Sequence, residues 1–263
     1  MEGVGVVKAL GAEVRASDLA PGDRVVPLDP MLGTWRSLAA LPAASLYRIP
    51  ECLPELPAAC LTINPPTALC LLERFVDLEE GSVIVQNGAN SAIGKAVVEV
   101  AASRGIKTLN IVRDRPNWDD VAERLTAIGA TAVIRPEEAK AAGAGWKPAL
   151  GLDCVGGESA TAIAKLLRPG GTMVTYGAMS LKPISISAPL LIFKDLRIRG
   201  FALSKESTPD LKAKLLDRVI TLAQKGLFAS SRFEEFALED YQEALQFCER
   251  GFRDSKAILR ISH

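Results

Sequence analysis

Ser82-Val83-Ile84-Val85-Gln86-Asn87-Gly88-Ala89-Asn90-Ser91-Ala92-Ile93-Gly94 is a short apolar run that breaks at a glycine and leads into a segment of helical spacing, Ala92 to Arg104, stopped by Gly105. A strand that turns directly into a helix aims free backbone N–H groups and the positive helix end at one point. That geometry suits a pyrophosphate, with small residues letting the phosphate approach and Gly94 allowing the helix to pack closely. The match to the G-x-G-x-x-G dinucleotide pattern is incomplete, since Ser91 stands where the middle glycine is expected. A plain connecting turn has the same look; the order strand, turn, helix favours a binding loop.

Outward from this stretch, Lys107 to Val112 is strand-like again and completes one βαβ unit. It delivers Arg113-Asp114-Arg115 to the carboxyl end of a sheet, nineteen residues past Gly94. An acidic residue at about that distance grips a ribose 2′-hydroxyl, whereas arginine accommodates a 2′-phosphate. Two guanidiniums there would bracket the dianion with charge-assisted hydrogen bonds, which favours NADPH over NADH. The bland alternative is a solvated turn whose Asp114 caps the next helix.

The alternation continues with a helix from Asp119 to Ile128 ended by Gly129, strands Thr131 to Ile134 and Ala149 to Asp153, a helix from Ala160 to Leu167, and a strand Thr172 to Tyr176 after Pro169-Gly170-Gly171. Such a rhythm means a parallel sheet with crossover helices. Before about residue 67 the texture differs. Val4 to Ala9, the turn Pro21-Gly22-Asp23 ahead of Arg24-Val25-Val26, and Gly33-Thr34-Trp35 read as a small β domain. Leu211 to Lys225 and Tyr241 to Arg250 add late helices, and Ala257 to Ile261 a closing strand.

The 263 residues fit one large domain or two ordinary ones, and 48% hydrophobic residues suffice for a substantial core. Basic and acidic side chains cancel at 31 each, so no overall field draws nucleic acid or an anionic membrane. Cys52, Cys60, Cys70, Cys154 and Cys248 are scattered, odd in number and without a CxxC pair; they read as reduced thiols, mostly core filler. The one histidine is His263, which argues against a zinc site, a Ser-His-Asp triad or a histidine acid-base pair. The longest uncharged stretch, Leu56 to Leu72, is broken by three prolines and too short to span a bilayer, so the chain reads as soluble. Met1-Glu2-Gly3-Val4 shows no secretory or transit signal.

Longer blocks add a resemblance: Leu32-Gly33-Thr34-Trp35-Arg36, Asn64-Pro65 with Thr67-Ala68, Asn90 to Gly94, Val112 to Pro116, Cys154-Val155-Gly156-Gly157, Gly170 to Gly177, and Leu191 to Leu196. Together they resemble the mitochondrial trans-2-enoyl thioester reductases, a zinc-free branch of the medium-chain dehydrogenase/reductase superfamily, across essentially the whole chain. The resemblance implies an α/β fold: a Rossmann-type doubly wound parallel sheet over 68–204 that binds NADPH, and a partial GroES-like β domain, 1–67 with 205–263, whose N-terminal part is missing. It implies NADPH-dependent reduction of the 2,3 double bond of an enoyl thioester, carried on coenzyme A or acyl carrier protein, in mitochondrial fatty acid synthesis. A mitochondrial location follows, or a cytoplasmic one given no transit peptide, with a homodimer formed through a strand region around Ile184 to Phe201.

The same resemblance places cofactor contacts on Asn64, on Asn90, Ser91, Ala92, Ile93 and Gly94, and on Arg113, Asp114 and Arg115. It adds Tyr176, Gly177, Ala178 and Met179, then Phe201, Ala202, Leu203 and Ser204, and finally Lys256. Trp35 and Ala202 border the substrate pocket, and no metal is implied. Plainer readings make Asn64 a helix cap, Tyr176 a core residue and Lys256 a solvated strand residue. Two departures matter. The family's catalytic tyrosine lies upstream of the Glu2-Gly3 equivalent, so the role passes to none of Tyr47, Tyr176 or Tyr241, and poor turnover is expected unless a longer form exists. Ala202 replaces a tryptophan, which is expected to open the acyl pocket to longer or branched chains. Competing readings are a zinc-free quinone or enone oxidoreductase and a catalytically dead structural subunit that keeps the fold.

Overall fold

The computed structural model describes residues 2–15, 18–29, 31–142, 145–206 and 208–261. The chain divides into two compact units, Met1–Pro66 with Glu206–His263, and Thr67–Lys205. In chain order, the first unit opens with β1 (Gly5–Val6), β2 (Arg24–Pro27), β3 (Leu46–Arg48) and the short α1 (Glu55–Ala58), and α2 (Asn64–Glu73) carries the chain into the second. Next come β4 (Val83–Asn87), α3 (Ala92–Ser103), β5 (Lys107–Ile111), α4 (Trp118–Ala127), β6 (Ala132–Ile134), α5 (Ala139–Ala142), β7 (Leu150–Asp153) and α6 (Gly157–Leu166). After β8 (Thr172–Thr175), α7 (Ala188–Lys194), β9 (Arg197–Gly200) and α8 (Leu203–Glu206), the first unit resumes with α9 (Pro209–Gln224), β10 (Phe233–Ala237), α10 (Tyr241–Glu249) and β11 (Lys256–Arg260).

In the second unit six strands form one parallel sheet ordered β6-β5-β4-β7-β8-β9. The order reverses between β4 and β7, so their carboxyl ends flank a crevice, the place where open α/β sheets take ligands. A parallel sheet must be covered on both faces, and β7 is buried at every residue. One core cluster joins Ala160, Ile163 and Ala164 of α6 to Val85, Leu109 and Met173. Another joins Val98 of α3 and Val121 and Leu125 of α4 to Val112 and Val133. Burying Val121 and Leu125 contributes roughly 1.5–3 kcal/mol each, more than propensity gives a ten-residue helix.

Register is pinned by buried amides. Gln86 Nε2 donates to Asn110 Oδ1 at 2.8 Å and to Gly94 O at 3.0 Å, and Asn110 Nδ2 donates to Ala132 O at 3.0 Å. A slip of one residue would strand these groups without partners, at about 1–3 kcal/mol apiece.

In the first unit β1, β2 and β3 form an antiparallel sheet, and β10 and β11 a parallel pair connected through α10. Arg24 Nη1 donates to Leu53 O at 2.7 Å and Glu51 O at 3.0 Å, fastening β2 to the turn after β3. Three expectations are corrected. The first strand covers only Gly5–Val6, and Gly33-Thr34-Trp35 is irregular, with Thr34 Oγ1 donating to Glu2 O at 3.0 Å. The stretch from Ile184 to Phe201 is not uniformly β: Pro189, whose missing N–H costs nothing in a first turn, starts α7 before β9. Among the described residues no helix is long and apolar enough to cross a membrane.

Candidate functional site

The turn after β4 is shaped by two glycines. Gly88 has φ +55°, and a Cβ there would lie 2.5 Å from Cys154 Sγ at the end of β7. A Cβ on Gly94 would lie 2.5 Å from Ala89 O, so α3 starts hard against the turn itself. Ser91 is the N-cap of α3, its Oγ accepting from Gly94 N at 3.1 Å. This explains a serine in place of a middle glycine: the hydroxyl satisfies one N–H of the helix start, and the others remain for an anion. Asn90, Ala92 and Ile93 are all half-buried around it.

The crevice floor is a polar knot that the sequence reading missed. Asp153 Oδ1 accepts from Asn87 Nδ2 at 2.6 Å, Val155 N at 3.1 Å and Gly156 N at 2.9 Å, while Oδ2 accepts from Thr175 Oγ1 at 3.1 Å. Asn87 Oδ1 in turn accepts from Cys154 N at 2.8 Å. One fully buried carboxylate thus fastens the ends of β4, β7 and β8. The available signal was an Asp closing the otherwise apolar Leu150-Gly151-Leu152 run.

Tyr176 N donates to Asp153 O at 2.9 Å, Met179 N to Cys154 O at 3.1 Å, and Phe201 N to Thr175 O at 3.0 Å. These bonds gather the 176–179 and 201 segments at the same carboxyl edge as the β4 turn. Ala178 and Met179 are exposed, Gly177 half-buried and Phe201 buried, its ring edge-on to Phe75 at 5.8 Å; Ala202 and Ser204 are exposed and Leu203 half-buried. The Tyr176 hydroxyl is buried against the Cys154 thiol, with no nitrogen or oxygen partner among the described residues. Burial raises Tyr176 well above the ordinary phenol range, and burial pushes Cys154 up to about 11, so both stay neutral. A buried hydroxyl left with only a weak thiol neighbour is under-satisfied, at a cost of up to about 1–3 kcal/mol.

At the β5 tip the expected pair of arginines is split. Arg113 is exposed, but Arg115 is buried and its Nε donates to Asn117 Oδ1 at 2.8 Å. Asp114 does not cap α4, whose N-cap position is Asn117; it pairs with Arg135, 3.2 Å from its Nε.

In the first unit Asn64 and Lys256 meet at Glu2, a residue sequence reasoning did not single out. Lys256 Nζ lies 2.8 Å from Glu2 Oε2, Ile63 N donates to Glu2 Oε1 at 2.9 Å, and Asn64 Nδ2 reaches Oε2 at 3.5 Å. Lys256 is therefore no solvated strand residue. Asn64 opens α2 and points to this carboxylate. Trp35 is exposed and pairs with Tyr241 at 6.5 Å between ring centroids. Tyr47 donates its hydroxyl to Asp217, and burial with that acceptor pushes it up to about 12. Of the five cysteines only Cys70 and Cys154 are buried, and His263 lies outside the described residues.

A doubly wound parallel sheet with a capped phosphate-type turn at its reversal defines a dinucleotide-binding oxidoreductase domain of the medium-chain dehydrogenase class, and residues 92–221 match the family described as zinc-binding dehydrogenase. Zinc itself does not fit: among the described residues no group of three or more His, Cys, Asp or Glu is placed to hold a metal ion. Over 99% of its length the chain is 41% identical to human "Enoyl-[acyl-carrier-protein] reductase, mitochondrial", covering 72% of that protein. The chain belongs to the mitochondrial enoyl-[acyl-carrier-protein] reductase family. Among solved structures, the Etr1p/NADP/crotonyl-CoA complex is similar at 30% identity and TM-score 0.91, over 100% of this chain and 79% of that one. The mitochondrial 2-enoyl thioester reductase Etr1p/Etr2p heterodimer from Candida tropicalis is similar at 30% identity and TM-score 0.88, over 95% and 77% respectively.

Proposed function

We propose that this chain reduces the 2,3 double bond of trans-2-enoyl thioesters with NADPH. The observation that carries the reading is the crevice at the β4/β7 reversal, bordered by Gly88, Cys154 and Tyr176, in a chain of an enoyl reductase family. NADPH supplies the hydride that goes to C3 of the enoyl thioester.

The residues of the chain bind and position. The turn from Asn90 to Gly94 and the start of α3 take the pyrophosphate, and Arg113 at the β5 tip takes the 2′-phosphate. Tyr176 to Met179 and Phe201 to Ser204 border the crevice beside them, with the Tyr176 hydroxyl, held neutral by burial, offering a donor. Asp153 and Asn87 spend their hydrogen bonds on one another and on the strand ends, so the floor is rigid and its dipoles are fixed before substrate arrives. Asn64 and Lys256 are further proposed cofactor contacts, and Ala202 is a proposed neighbour of the acyl group. No described residue is assigned the proton transfer to C2. Family membership favours this reading over a quinone reductase, and a mitochondrial site of action with either coenzyme A or acyl carrier protein as carrier accompanies it.

A homodimer is also part of the proposal. β9 is exposed at all four residues on one edge of the sheet, and Ile192 and Phe193 of α7 are 69% and 81% exposed. An apolar helix face beside an open strand edge favours pairing with a second copy.

The test is a titration with NADPH and NADH, followed by NADPH oxidation with short and long trans-2-enoyl-CoA and with a quinone. Preference for NADPH and consumption of the enoyl thioester are expected; absence of any NADPH preference would sink the reading.

A further inference from the structure

Arg135 follows Ile134, which pairs with Ile111 of β5, so it emerges beside the Arg113-Asp114-Arg115 tip. Its Nε lies 3.2 Å from Asp114 Oδ1, its guanidinium sits 3.9 Å above the Trp118 ring, and its own N–H donates to Glu138 Oε2 at 2.6 Å. Ring, carboxylate and backbone bond fix this arginine from three directions, which an ordinary solvated arginine lacks.

We propose that Arg135 sets the preference for NADPH over NADH, by neutralising Asp114 and holding its carboxylate away from the ribose. The inference rests on the reading that the β5 tip receives the 2′-phosphate. An acidic side chain at this tip is what grips the 2′-hydroxyl in NAD-binding folds, and the same carboxylate repels a phosphate. The chain carries such a side chain: Asp114 follows Arg113 directly and is 73% exposed. Arg115 is buried with its Nε directed to Asn117, while the Asp114 carboxylate pairs with Arg135. With Arg135 in place the carboxylate is tethered and the tip stays cationic. Without it, Asp114 is released beside Arg113, both competing for that guanidinium and opposing the incoming dianion. Arg135 thus acts through Asp114, as a positioning residue for specificity.

The experiment measures NADPH and NADH dissociation constants by fluorescence titration on the wild type, Arg113→Gln, Arg135→Gln, Asp114→Asn and the Asp114→Asn/Arg135→Gln double variant, with circular dichroism melts as a fold control. Arg135→Gln should weaken NADPH by roughly threefold to tenfold, the range of one partly exposed charge, with NADH unchanged or tighter. The double variant should recover most of the NADPH affinity, because the carboxylate that Arg135 restrains is gone. An unchanged NADPH-to-NADH ratio in a folded Arg135→Gln protein overturns the proposal, as does a double variant no better than the single one. If instead the wild type shows no NADPH preference, or Arg113→Gln leaves it intact, the tip is not the 2′-phosphate site and the underlying reading fails with it.

Discussion

Lys256 Nζ and Glu2 Oε2 are 2.8 Å apart although 254 positions separate the two residues in sequence. The Glu2 carboxylate also accepts from Ile63 N and lies within reach of Asn64, so both first-unit residues proposed to touch cofactor are oriented by one acid. Burial by itself would lower the Lys256 pKa, but Glu2 and the neighbouring Cys60 more than offset it and the net shift is upward. The folded state therefore holds this proton more tightly than the unfolded chain. The stabilisation is complete below the ordinary lysine pKa and is lost as pH rises through the folded value. The gap in melting temperature between wild type and Lys256→Met should be constant through neutral pH and shrink only in strongly alkaline buffer. Glu2→Gln should cost roughly 1–2 kcal/mol at neutral pH; a gap that closes between neutral pH and the ordinary lysine range would refute the ion pair.

Gly88→Ala tests the crowding at the crevice. Alanine there meets both a positive φ and the Cys154 sulfur, so a loss of about 1–3 kcal/mol and weaker NADPH binding are expected in melts and titrations. Adding Cys154→Ala removes the sulfur and leaves the backbone strain, so the double variant should recover part of the loss. Complete recovery would show that the φ requirement is not real.

Thiol reactivity follows burial. Cys52 and Cys248 are exposed, while Cys70 and Cys154 are buried and Cys154 is pushed up to about 11. Time-resolved alkylation at neutral pH, read by peptide mass spectrometry, should label Cys52 and Cys248 first and Cys154 only when the protein unfolds. Early labelling of Cys154 in folded protein would contradict the packing at the crevice.

The open β9 edge predicts an assembly phenotype. Ile192→Asp with Phe193→Asp places charge on the exposed face of α7 and should convert a dimer to monomer in sedimentation while leaving the melting transition of the sheet in place. A wild-type chain that sediments as a monomer at micromolar concentration removes the proposal.

Much of the second unit was legible in the sequence because its signals are local. Val83 to Val85 is a continuous apolar run suited to a strand buried on both faces, and α3 and α4 end two residues before the glycines expected to stop them. Counting from Gly94 located the β5 tip for the same reason. What escaped depends on distant partners. Glu2 has meaning only beside Lys256, Asp153 only beside Asn87, 66 residues away, and Arg135 only beside Asp114, 21 away. Ser91 looked like a defect in a glycine pattern until its hydroxyl was seen to cap α3. Leu190 to Phe193 fits strand or helix by composition, and Pro189 decides for helix.

The first unit is assembled from two distant lengths of chain, while the second is one uninterrupted length. During translation Glu2 leaves the ribosome 254 residues before Lys256, a delay on the order of 10 to 50 s at cellular elongation rates. The contiguous 67–205 segment can complete its sheet in that interval, and β1 to β3 can pair among themselves, whereas Glu2 waits for its lysine. The stretch around Glu2 is thus the part of the first unit that stays incomplete for longest, and it is where proteases and misassociation find most to act on and a chaperone most to protect.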